Sequence, residues 1–187
     1  MAEKVELTDK QKRQGFGCLA FIVISIVIVV IILNIGTGEN KKTFDFTVKE
    51  YESSLKQVID AYKGNSFISI ENSKVLEEGT YTISLTNGMS VHVFTDKNDK
   101  VKKTGVIATS NAFMVQNNEV MIAFQALLKS VDSSLSVPQQ LVIFDNLGID
   151  GGSGMLDHSS TYTLGDIKYS YQGDIEDDVI FLTAQPQ

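Results

Sequence analysis

The stretch Thr80-Tyr-Thr-Ile-Ser-Leu-Thr-Asn-Gly-Met-Ser-Val-His-Val93 decides the fold class. Tyr81, Ile83 and Leu85 alternate with Thr80, Thr82 and Ser84, the two-residue period of a strand with one buried face. Asn87-Gly88 follows. Both residue types tolerate the positive φ that a two-residue hairpin turn demands. Met89, Val91 and Val93 then resume the apolar face. His92 alternates with Val91 and Val93, so its ring is expected off the core face. Asp96-Lys-Asn-Asp99 reads as a second turn and Val101 to Thr109 as a further arm. Upstream, Ser66 to Glu71 carries Phe67, Ile68 and Ile70 and has strand character. The sum is an antiparallel meander of three or four strands.

Helical patterns flank the meander. Thr47-Val-Lys-Glu50 is a capping box, in which hydroxyl and carboxylate each satisfy an orphan amide of the first turn. Val48, Tyr51, Leu55, Val58, Ile59 and Tyr62 then recur at helical spacing, predicting a helix over about 48–63. Val120, Phe124, Leu127 and Val131, with Met121 and Leu128, predict a buried helix within about 112–132. Ser136-Val-Pro-Gln139 is a second capping box, and the helix it opens ends at Leu147-Gly148. Asp150 to Asp157 is glycine-rich and reads as a flexible connector. Tyr162 to Gln172 and Val179 to Thr183 read as a closing hairpin across Gly173-Asp-Ile-Glu-Asp-Asp178. The order is α, β-meander, α, α, β-hairpin. It predicts an α+β domain in two layers, with an antiparallel sheet and helices packed on one face.

A different solvent governs the N-terminal stretch. Phe16 to Ile35 contains no charge and no proline, and fifteen of its twenty residues are Ile, Val, Leu or Phe. Twenty helical residues span about 30 Å, the depth of the hydrocarbon core. The β-branched run would suit a strand in water, but in lipid a lone strand leaves its backbone unpaired, so a helix is expected. The segment is longer than a signal-peptide core, which favours an uncleaved anchor. Lys4, Lys10, Lys12 and Arg13 precede it, and Lys41, Lys42 and Lys49 follow. That bias of one cation, together with a short tail beside a long domain, places the N-terminus inside. The expected organisation is a cytoplasmic tail at 1–15, a transmembrane helix at 16–35 in membrane lipid, a linker at 36–43 and an extracytoplasmic domain at 44–187.

Charge is distributed unevenly. Net charge is −7; residues 39–103 hold ten lysines and ten acids, whereas residues 104–187 hold two lysines, Lys129 and Lys168, and ten acids. Such a surface repels phosphate backbones, so no nucleic-acid partner is expected. The only cysteine, Cys18, lies in the apolar segment, so the domain has neither a disulfide nor a cysteine-based zinc site.

Catalytic signals are sparse. His158, beside Asp157, Ser159 and Ser160, is the one candidate for a hydrolase. Sequence neighbours rarely form a triad, which is assembled in space. Gly148-Ile-Asp-Gly-Gly-Ser-Gly154 lacks the strand before, the helix after and the Lys-Ser/Thr of a phosphate loop. Asp174, Glu176, Asp177 and Asp178 lack calcium-loop spacing. No catalytic, cofactor-binding or metal-binding residue is assigned. Lys97, Lys100, Lys102 and Lys103 crowd one turn, whose plainest reading is a solvated loop. The candidate partner surface is Tyr169 and Tyr171, on one face of the last hairpin, with Asp174, Asp177 and Asp178 at its turn; the alternative, which the pattern favours for the two tyrosines, is that they cover the core.

Lys10-Gln-Lys-Arg-Gln-Gly-Phe-Gly-Cys-Leu19 and the apolar run after it resemble the start of many small bacterial single-pass proteins, some of them prophage-encoded. The resemblance covers about 30 residues and implies a bacterial membrane. The functional expectation is a non-enzymatic, membrane-anchored binding or accessory protein acting on another protein, with phage exclusion, immunity or service to an envelope complex as settings. An anchored hydrolase using His158 and a small-ligand sensor are the alternatives.

Overall fold

Both capping boxes form. Thr47 N donates to Glu50 Oε2 at 2.7 Å while Glu50 N donates to Thr47 Oγ1 at 3.4 Å, opening α1, Val48–Ala61. The hydrogen bonds that Glu50 accepts from Thr47 hold its carboxyl below the usual range. Val48, Tyr51, Leu55 and Ile59 form the buried stripe of α1. The stretch expected as one helix within 112–132 is two, α2 at Ser110–Val115 and α3 at Asn117–Val131. They are separated at Gln116, whose φ of −136° and ψ of 44° leave the helical region. Ser136 N donates to Gln139 Oε1 at 2.8 Å at the start of α4, Val137–Leu147. That helix ends on Gly148 at φ 67°, where a side chain would be strained.

These elements come from a computed structural model that describes residues 42–64 and 66–187. The tail, the apolar segment and the linker up to residue 41 lie outside the described residues. Among the described residues no helix is long and apolar enough to cross a membrane.

Seven strands form one antiparallel sheet: β1 Ile70–Glu77, β2 Thr80–Leu85, β3 Ser90–Thr95, β4 Val101–Ala108, β5 Asp157–Leu164, β6 Ile167–Asp174 and β7 Val179–Pro186. Their spatial order is β1-β2-β3-β4-β7-β6-β5. At the first hairpin Asn87 and Gly88 take φ of 66° and 73°, as the two-residue turn requires. Two expectations change. The strand expected at 66–71 lies at 70–77, and the closing hairpin is three strands, because Gly165, at φ 59°, turns the chain between β5 and β6.

One sheet face carries Ile83, Val91, Val93, Val106, Leu182, Tyr169 and Tyr171 into a single core with α1, α3 and α4. The expected α+β domain, an antiparallel sheet with helices, is therefore present. The other face shows Thr82, His92, Gly105, Thr183, Ser170 and Thr161 in one row across six strands.

Strand direction gives the sheet two distinct ends. Lys42 donates to the carbonyl of Gln187, and Phe44 N donates to Val101 O at 2.8 Å. The chain thus enters at the end where β4 begins and β7 finishes. The opposite end collects the end of β4, the start of β7, the turn after β6, the start of β5, and α2.

Candidate functional site

Tyr169 and Tyr171 lie on the helix-covered face and are buried. Tyr171 packs edge-on against Phe124, with ring centres 6.2 Å apart, and its hydroxyl donates to Met155 O at 2.6 Å. Burial pushes both phenols well above their ordinary pKa. The surface part of this hairpin is its turn. Asp174 Oδ1 accepts from the backbone N–H of Glu176 and of Asp177, each at 3.0 Å. Asp178, at φ 53°, accepts from the Ser110 hydroxyl and, at 3.2 Å, from Asn111 N. The acidic turn is therefore tied to the first turn of α2, an approach that sequence order alone does not show.

Exposed apolar side chains lie on both of the elements so joined. Ile175 in the turn is 55% exposed, and Met114 and Val115 on α2 are each 71% exposed. Burying what remains exposed would gain about 1–2 kcal/mol per side chain. Sequence reading missed all three. Met114 and Val115 pass for the apolar run of a helix, and Ile175 shows only as a lone apolar residue among acids. Glu119, Asp150 and Asp157 belong to elements at the same end, and neither lysine of the 104–187 stretch does, since Lys129 is in the last turn of α3 and Lys168 at the start of β6.

Of the other exposed apolar groups, Phe67 precedes β1 and is 88% exposed, and five have plainer settings. Val75 and Leu76 lie on edge strand β1, whose register shifts beside both ends and whose Glu71, Lys74 and Glu77 discourage added strands. Val137, Leu141 and Val142 line the outer side of α4, where no charge cluster accompanies them.

The histidines differ in their partners. His158 Nδ1 lies 3.0 Å from Gly154 O and Nε2 lies 2.9 Å from Leu147 O. The Ser160 hydroxyl donates to that same Leu147 carbonyl at 2.6 Å. Neither ring nitrogen faces a hydroxyl that it could activate, and Asp157 points to the other side of β5. His92 does face hydroxyls: Ser90 Oγ is 3.2 Å from Nε2 and Thr82 Oγ1 is 3.5 Å from Nδ1. Burial, with the charge of Lys74, lowers its pKa to about 4. A ring that stays neutral to so low a pH is a feeble base for Ser90. Among the described residues no three His, Cys, Asp or Glu side chains gather as a metal ion would need.

The glycine-rich loop, expected as a flexible connector, is fastened along its length. Asn117 Nδ2 donates to Gly151 O at 2.8 Å, Gly152 N donates to Asp150 Oδ1 at 2.7 Å, and Tyr171 and His158 hold Met155 and Gly154. Beneath it Gly173 is a necessity of space, because a Cβ there would lie 1.9 Å from Met155 O.

No family model matches the chain, and no curated protein or solved structure matches it.

Proposed function

We propose that this chain is a membrane-tethered binding or accessory protein without a catalytic role, contacting another protein at the outer face of a bacterial membrane. The apolar segment Phe16–Ile35 supports the tether. The observation that carries the rest is the polarity of the sheet. Residue 42 lies at one end, and at the other the acidic turn with the exposed Ile175 is tied to α2, which carries the exposed Met114 and Val115. The end away from residue 42 offers these acids and apolar groups to solvent. Its acids repel anionic headgroups and nucleic acid alike, so the partner it suits is a protein segment with apolar and basic side chains.

The test has two parts on the full chain in bacterial cells. After alkaline carbonate extraction the chain stays in the membrane pellet, and a chain without residues 16–35 does not. Protease added to intact cells degrades the domain. Release by carbonate, or a domain protected from external protease, contradicts the proposal.

A further inference from the structure

We infer that His158 is a proton-dependent latch on the loop between α4 and β5. Both ring nitrogens sit at hydrogen-bonding distance from backbone carbonyls, 2.9 Å to Leu147 O and 3.0 Å to Gly154 O. A carbonyl oxygen only accepts. The imidazolium has two N–H groups and satisfies both contacts. The neutral ring has one proton for the two, so one carbonyl must face a lone pair.

Position decides which contact opens. Leu147 is the last residue of α4, and its carbonyl belongs to the negative end of the helix dipole. A lone pair turned toward that oxygen is costly, so the remaining proton stays on Nε2. The contact to Gly154 is then the one released. Of the rest of the loop, Asn117 Nδ2 at the start of α3 holds Gly151 O at 2.8 Å, while Gly151 N donates to Met155 Sδ at 3.0 Å and Gly152 N donates within the loop to Asp150. Gly151 stays fastened by Asn117 and Met155 by the Tyr171 hydroxyl, so loosening is confined to residues 152–154.

The charged and titratable groups around the ring fit this reading. On β6 the Tyr171 ring is centred 5.0 Å from the imidazole. The carboxylate of Asp150, on the loop itself, acts on that phenol. On β5, Ser160 shares the Leu147 carbonyl, and Asp157 is on the opposite side of the strand. On α4, Asp145 is exposed, and α4, β5 and the loop carry no lysine or arginine. The ring also fixes its surroundings sterically, since a Cβ on Gly148 would lie 2.9 Å from Nε2.

The loop borders the acidic, apolar end of the sheet. His158 pairs with Gly173, and Asp157 with Asp174 at the start of the acidic turn. Opening the latch therefore alters the edge of the surface assigned above to a partner. That last step rests on the proposed function; the latch does not.

Hydrogen exchange on the full chain in a neutral detergent tests it, read as protection relative to intrinsic exchange. Protection across residues 152–154 falls about tenfold between about pH 5 and pH 8, while α3 is unchanged. In the His158→Gln variant the loop is weakly protected and equally so at both pH values. Equal protection at both pH values in the unaltered chain overturns the latch, as does a pH dependence that survives in the variant. If the variant does not fold, the ring 15N shifts of the unaltered chain decide: the latch requires loop protection to follow the loss of the second ring proton. The readout involves neither membrane nor partner, so its failure is distinct from failure of the proposed function.

Discussion

The two histidines occupy sites of one plan with opposite chemistry. Each pairs across the sheet with a glycine, His92 with Gly105 and His158 with Gly173. At His92 the ring meets hydroxyls, which donate or accept as required, so a neutral ring is content. At His158 the ring meets carbonyls, which only accept. The glycines differ in parallel. A Cβ on Gly105 would meet the Thr183 methyl at 2.7 Å, whereas one on Gly173 would meet the backbone oxygen of Met155 at 1.9 Å. The first site is the interior of a sheet face. The second is a joint where a loop is clamped onto the sheet beside the candidate partner surface. What a histidine does here is set by whether its neighbours can change role.

The strongest way to break the comparison is Gly173→Ala. The clash is with backbone, so the loop must lift, and the cost is about 3 kcal/mol in chemical denaturation. A cost near zero would show that the loop is not clamped. Next comes the acid response of His92. Its folded pKa of about 4 lies below the unfolded value, so it contributes stability that is fully present above about pH 6.5 and lost as pH falls toward 4. The loss amounts to about 3 kcal/mol and is absent in His92→Gln, as denaturation midpoints at a series of pH values will show. Smaller is Gly105→Ala, at about 1–2 kcal/mol, because the Thr183 side chain can give way but the Leu182 carbonyl, at 3.1 Å, cannot. If Gly105→Ala costs as much as Gly173→Ala, the two sites are not different in kind.

Local signals made much of the fold legible. The alternation over Thr80–Leu85, the Asn87-Gly88 turn and both capping boxes are decided by residues within a few positions of one another. β1 was displaced because Asn72-Ser-Lys74 lacks an apolar period; as an edge strand exposed on both faces, it needs none. The turn at Gly165-Asp166 was hidden inside a run from Tyr162 to Gln172, in which the polar residues of β5 and β6 obscured two separate strands. Gln116 breaks a helix without any breaking chemistry of its own. The candidate surface was half legible. The acids of the last turn are plain in sequence, but their bond to Ser110 and Asn111 joins residues 67–68 positions apart. The tyrosines expected beside them belong to the core, because the period that aligned Tyr169 with Tyr171 does not say which face is covered. The partners of His158 are two backbone carbonyls, which no side-chain pattern announces.

The end of the sheet opposite the chain entry is the surface proposed to meet a protein. Site-specific photocrosslinking in intact membranes of the native host tests it most directly, with the reactive group at Met114 or Ile175 on one end and at Lys97 on the other. A discrete protein adduct is expected from Met114 and Ile175, lost when Glu176 and Asp177 are changed to lysine, and none from Lys97. An adduct from Lys97 alone, or none from Met114 and Ile175, would contradict it.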